Sequence, residues 1–175
     1  LKNSLLQTKK TGYARITAEQ RTEMEAYCRR YMDFMDAAKT EREATTWAVA
    51  AAEAHGFVEL KPGMDAKPGD KFYMNNRGKS IMLAVIGSES LAHGANICAA
   101  HIDSPRMDLK PNPLYEDAGM AYLKTHYYGG IKKYQWVTVP LALHGVVYRK
   151  DGTVVTVTIG EDDNDPVLMV SDLLI

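Results

Sequence analysis

A mixed α/β fold, in which helices cover a mixed sheet, is what this sequence predicts. Three observations carry that reading. Two capped helical patterns open the chain, β-branched and aromatic runs punctuated by turn residues follow from Phe57, and a short apolar run at 96–102 (NICAAHI) has the small residues of a strand buried on both faces.

The first helix is predicted from Thr17 and Gln20, which have capping-box spacing. After them Met24, Tyr27, Cys28, Tyr31, Phe34, Met35 and Ala38 recur at three- and four-residue steps, a face suited to lying flat on a sheet. Thr40 and Glu43 repeat the capping signal for a second helix. Its narrower apolar stripe is Ala44, Trp47, Ala48 and Ala51, and Gly56 stands where a left-handed C-terminal cap belongs. Lys61-Pro62-Gly63 and Lys67-Pro68-Gly69-Asp70 read as turns, with strands near 71–74 and 81–86. The runs 146–148 and 154–159 read as an antiparallel hairpin with Gly152 in its turn. An acidic turn at 161–165, a strand at 167–170 and a serine-capped helix start at 171–174 close the chain.

Composition narrows the function classes. At 46% hydrophobic and 25% charged, the 175 residues have ordinary globular composition. The 21 basic and 22 acidic residues leave a formal charge of -1, so there is no broad field for capturing nucleic acid or anionic lipid. A small or neutral substrate fits better than a polyanion. The longest apolar run, 81–86, is far short of the ~20 residues that cross a bilayer, and no signal-peptide stretch opens the chain. The expectation is a cytoplasmic protein without membrane or nucleic-acid partners, whose start at Leu1 reflects an absent or processed N-terminus. Cys28 and Cys98 are too few for a disulfide scaffold and are expected as small buried hydrophobes.

The chemistry concentrates at His101-Ile102-Asp103. If 96–102 is a strand, residues two apart point to the same side, and the pair falls at the strand's carboxyl end, where open α/β sheets gather their ligands. A neutral imidazole binds zinc through one nitrogen while a carboxylate accepting the other N–H fixes the tautomer. His101 and Asp103 thus suit a metal ligand and the carboxylate that orients it, although on these three residues alone a histidine satisfied in a turn is the favoured reading. Other candidates carry blander readings. Cys98 and His101 form C-x-x-H, but three-residue spacing on a strand sends them to opposite faces. His126 is expected as a partly exposed strand histidine, His144 as a satisfied core residue, His55 as a helix C-terminal partner and His93 as a loop residue. Gly129-Gly130 reads as a tight turn rather than a phosphate cradle, Lys132 and Lys133 as solvent-facing, and the acidic turn lacks calcium-loop spacing.

The run AAHIDSPRMDLKP (99–111), with NPLYED (112–117), LKTHYYGGIKKYQW (123–136), PLALHGVVYRKDG (140–152) and IGEDDNDP (159–166), resembles the aspartyl aminopeptidase family of zinc metallopeptidases. KTERE (39–43), NRGKS (76–80) and SDLL (171–174) extend the resemblance over most of the chain. It implies the proximal part of a phosphorylase/hydrolase-like catalytic domain spanning 1–175 and ending where the family's inserted oligomerisation domain begins. It implies zinc, in a two-metal site open to other divalent ions, with His101 as a metal ligand and Asp103 orienting it. It implies a cytoplasmic homo-oligomer that removes N-terminal residues, acidic ones among them, from peptides. The family's bridging aspartate, glutamate base and later ligands have no match within 1–175, so the expectation is a fragment inactive alone. The reading from another class is a non-catalytic structural or interaction module that keeps the fold without a complete metal site.

Overall fold

Both helix starts form as their sequences dictate in the computed structural model of the protein, which describes residues 9–171. In α1 (Ala18–Ala37) the Thr17 side chain accepts from the Gln20 N–H while Gln20 reaches back to the Thr17 N–H. In α2 (Glu41–Ala54) Thr40 and Glu43 make the same reciprocal pair. Each box satisfies two of the N–H groups that a helix start leaves without intrahelical partners. Gly56 takes the left-handed conformation at φ 80° after α2, and His55 Nδ1 lies 2.7 Å from the Ala51 carbonyl in the last turn.

Two compact units divide between Ala38 and Lys39. The described part of the first is α1 with a short 3-10 turn at Gly12–Ala14. None of the α1 residues is buried, and Tyr27 and Tyr31 of its apolar stripe are exposed.

The second unit is organised by a three-stranded mixed sheet. Strand β1 (Val58–Glu59) runs parallel to β2 (Lys71–Asn76), which pairs antiparallel with β3 (Ser80–Val85). The β2–β3 connection sets Arg77 and Gly78 at φ 58° and 65°, at the centre of a turn closed by the Lys79 N–H on the Asn76 carbonyl at 3.1 Å. Helix α2 lies on β2 and β3. Ala44, Thr45 and Ala52 are its buried residues, and Phe72 and Tyr73 are those of β2. Small residues on the helix let the aromatic strand approach closely. The buried face is rotated from the expected stripe, since Trp47 stays largely exposed. At the rim, the Tyr73 hydroxyl donates to Glu53 Oε1 at 2.7 Å, and that carboxylate pushes the phenol up to about 12.

Two further hairpins complete the unit. The longer pairs β4 (Arg106–Asp117) with β5 (Met120–Tyr128) through a turn with Ala118 and Gly119 at φ 50° and 74°. Its register breaks between Leu109 and Leu114, so that residues 110–113 stand against Lys124 alone. Pro111 and Pro113 fall in that break, where no ladder N–H is required of them. The one-turn helix α3 (Lys133–Trp136) leads to the other hairpin, β6 (Leu143–Tyr148) with β7 (Val154–Ile159), at the predicted position.

Three expectations are corrected, and a fourth falls outside the described residues. The run 96–102 forms no strand: it is irregular and exposed, with Ile97 85% exposed, because no described strand lies alongside to complete a ladder. For the same reason Cys98 is exposed, and Cys28 on α1 is exposed as well, so neither is the buried hydrophobe expected. The expected strand at 167–170 reduces to a single bridge between Leu141 and Leu168. The helix start at 171–174 lies outside the described residues apart from Ser171.

Candidate functional site

His101 and Asp103 converge, though not by strand alternation. They belong to the irregular segment leading into β4, and the chain curls so that His101 Nδ1 lies 2.7 Å from the backbone carbonyl of Asp103 and 3.4 Å from its carboxylate Oδ1. Two acceptors at Nδ1 place the proton there, which leaves Nε2 with its lone pair outward. The ring is 82% exposed, and no group among the described residues hydrogen-bonds Nε2. That is the state in which a histidine ligates a metal.

The other carboxylate oxygen is held from across the hairpin base. Tyr128, the last residue of β5 and the register partner of Arg106, donates its hydroxyl to Asp103 Oδ2 at 2.7 Å. That hydrogen bond, then backbone donation and the neighbouring His101, keeps the Asp103 carboxyl below the usual range. The same contact raises the Tyr128 phenol. Above the Tyr128 ring sits Arg106, its Cζ 4.1 Å from the ring centroid. Arg106 Nε donates to Asp108 Oδ1 at 2.7 Å, and Nη1 stands 3.7 Å from Glu41 Oε2 at the start of α2. Burial acts to lower the guanidinium, but Asp108 and Glu41 outweigh it and the net shift is upward.

Neither Tyr128 nor Arg106 is singled out by the sequence reading. The available signals were slight: a cation three residues after Asp103, and an aromatic just before Gly129-Gly130. Gly129 adopts φ 72° with Pro105 packed 3.5 Å from where its Cβ would stand, so this turn brings the end of β5 back to the loop carrying Asp103.

A second ionic cluster lies elsewhere in the same unit. His144 of β6 has Nδ1 2.7 Å from Glu43 Oε1 and Nε2 2.9 Å from Glu161 Oε1, while Lys39 Nζ reaches Glu161 at 3.1 Å. Burial would raise the Glu43 carboxyl, but His144 and the Thr40 donors hold it below the ordinary range. Glu161 is lowered by His144 first and Lys39 second. His144 is thus the satisfied residue expected. His126 stands exposed on β5 as expected, and the 161–165 turn is closed by Asp165 accepting from the Gly160 N–H at 2.7 Å.

As a metal position, His101 fits through a correctly prepared Nε2. Among the described residues, no three His, Cys, Asp or Glu side chains converge to close a coordination shell. Cys98 accordingly shares no such group with His101.

The sequence pattern of the family described as aminopeptidase I zinc metalloprotease (M18) matches residues 34–175. A probable M18 family aminopeptidase 1 of Clostridium acetobutylicum is 51% identical over 177 aligned residues, covering 99% of this chain and 38% of that protein. The crystal structure of aminopeptidase I from Borrelia burgdorferi superposes with a TM-score of 0.88 at 38% identity, covering 94% of this chain and 41% of that one. The S. cerevisiae mApe1 dodecamer shares the fold at a TM-score of 0.70 and 21% identity, over 86% of this chain and 36% of its own. The chain spans less than half the length of the curated relatives it matches.

Proposed function

We propose, from the premise that this chain belongs to the M18 family of aminopeptidase I zinc metalloproteases, that it is the N-terminal portion of the catalytic domain of a metal-dependent aminopeptidase. The observation that carries the reading is the clamped imidazole. With its Nδ1 proton given to Asp103, His101 offers Nε2 to a divalent ion without having to change tautomer. Zinc bound there supplies Lewis acidity and a nucleophile from water at neutral pH. The chain's own residues hold the ligand: Asp103 orients His101, and a carboxyl kept ionised sustains the basicity of that imidazole. Since no three His, Cys, Asp or Glu side chains converge among the described residues, His101 alone does not retain a metal pair, and the remaining ligands and the general base come from further sequence of a full-length protein.

The substrate is a peptide cleaved at its N-terminus, acidic residues among those removed, and the full-length protein is a homo-oligomer, a reading supported by the shared fold of a dodecameric relative. The near-neutral formal charge of -1 and the lack, among the described residues, of a helix long and apolar enough to cross a membrane suit a cytoplasmic enzyme. The close relatives carry an aminopeptidase designation, which favours the enzyme over a non-catalytic module.

The test compares a full-length protein carrying this chain with its variants. His101→Ala is expected to lose one bound metal and nearly all turnover, and Asp103→Asn to weaken metal affinity or activity by roughly 10- to 100-fold with the fold retained. The chain 1–175 alone is expected to be inactive on an aminoacyl chromogenic substrate. Unchanged zinc content and turnover in His101→Ala rule out the assignment, and robust turnover by the isolated chain rules out its incompleteness.

A further inference from the structure

We infer that Tyr128 is a positioning residue for the metal ligand, acting through Asp103, and that Arg106 holds Tyr128 in place for that role. The inference rests on the reading of His101 as a ligand and adds two residues to it.

Asp103 lies in an irregular segment, where no strand ladder fixes the backbone and a carboxylate is free to turn about its two side-chain torsions. Two contacts remove that freedom. Oδ2 accepts the Tyr128 hydroxyl at 2.7 Å, which leaves Oδ1 as the oxygen facing His101 Nδ1 at 3.4 Å. The donor is better anchored than the acceptor, because Tyr128 is paired with Arg106 at the base of the hairpin. Arg106 then covers the Tyr128 ring at 4.1 Å, a cation–π distance that fixes the ring plane. The guanidinium is itself fixed by Asp108 on β4 and faces Glu41 in the first turn of α2. A continuous line of contacts therefore runs from α2 through Arg106, Tyr128 and Asp103 to the imidazole. Its last member is 82% exposed, and Tyr128 is exposed as well. A tyrosine present only to finish a strand needs its ring but not its hydroxyl, and that difference supplies the test.

Zinc affinity is measured by chelator competition on the full-length holoenzyme and on Tyr128→Phe, Arg106→Lys, Tyr115→Phe and His101→Ala, together with the visible spectrum of each cobalt-substituted form. Tyr128→Phe keeps the ring under Arg106 and removes only the donor. It is expected to weaken zinc binding by about 3- to 10-fold, less than loss of a group touching the ligand directly, and to shift the cobalt bands. Arg106→Lys keeps the charge but not the planar stack and is expected to move both readouts in the same direction by a smaller factor. Tyr115, stacked on Tyr122 in the same hairpin, is the control, and its phenylalanine variant is expected to match the parent. Parental affinity and cobalt spectrum in Tyr128→Phe, while His101→Ala loses metal, overturn this inference and leave the aminopeptidase reading standing. An equal loss in Tyr115→Phe overturns it too, by marking the effect as general to the hairpin. Undiminished zinc affinity in His101→Ala removes the ligand assignment and this inference with it.

Discussion

Replacing His144 with glutamine tests whether the ionic clamp between α2, β6 and the 161–165 turn holds the second unit together. The His144 side chain is 12% exposed, and both of its ring nitrogens face carboxylate oxygens, at 2.7 Å for Glu43 and 2.9 Å for Glu161. A shielded, charge-assisted hydrogen bond contributes about 1.5–3 kcal/mol net, which applies to the Glu43 side. Glu161 is more exposed and already shares Lys39 at 3.1 Å, so solvent screens its bond and the Glu43 side dominates. The Glu43 bond alone then makes the substitution cost about 1.5–3 kcal/mol, a fall in Tm of about 3–12 °C for a protein of this size. The assay is urea unfolding of His144→Gln, Glu43→Gln and Glu161→Gln, singly and in pairs. In the double-mutant cycles the Glu43 coupling should be about 1.5–3 kcal/mol and the Glu161 coupling smaller than it. A Glu43 coupling under about 0.5 kcal/mol, or a Glu161 coupling larger than it, refutes the reasoning.

Two further predictions use the same unit. Folding lowers the Glu43 and Glu161 carboxyls, so the unfolded chain binds more protons there. The stability they lend is fully present above the ordinary carboxylate range and is lost as pH falls through their lowered values. Thermal melts between about pH 6 and pH 3 should show Tm dropping with acid, and the Glu43→Gln, Glu161→Gln double variant should show a shallower slope. In the core, Phe72 of β2 is 5% exposed, and Phe72→Ala should cost about 3–5 kcal/mol by urea unfolding. A loss near 1 kcal/mol would mean that the surrounding residues close over the void.

What the sequence made legible depended on how far apart the deciding atoms lie. Both capping boxes join residues three positions apart, so Thr17 with Gln20 and Thr40 with Glu43 disclose themselves in the text of the chain. The β6–β7 hairpin is equally local, with Gly152 in its turn. Of the β4–β5 hairpin only the strand at His126 was legible, and the structure shows that β4 accommodates Pro111 and Pro113 where the register breaks. The run 96–102 failed the other way. Its apolarity states what a strand there would bury, but a strand also needs neighbours to pair with, and none is described beside it. His144 could be read as satisfied, yet Glu43, its nearer partner, lies 101 positions away.

The candidate site divides along the same line. The contact between His101 and the Asp103 carbonyl spans two residues and needs only a curl of the chain. That contact sets which nitrogen carries the proton. It does not set where the ring points, because a loop free to swing carries its internal hydrogen bond with it. Direction comes from Tyr128, 25 positions away, whose hydroxyl ties the loop to a hairpin base packed beneath Arg106. One exposed imidazole gains little from being aimed, since a single ligand binds a divalent ion weakly however it is oriented. Orientation becomes valuable when further ligands must meet the same ion, because each ligand already in place reduces the ordering cost of closing the shell. A tautomer fixed locally and an azimuth fixed by the hairpin are therefore what one partner in a larger coordination set requires, and this is the physical reason to read His101 as one ligand of several rather than as a surface histidine.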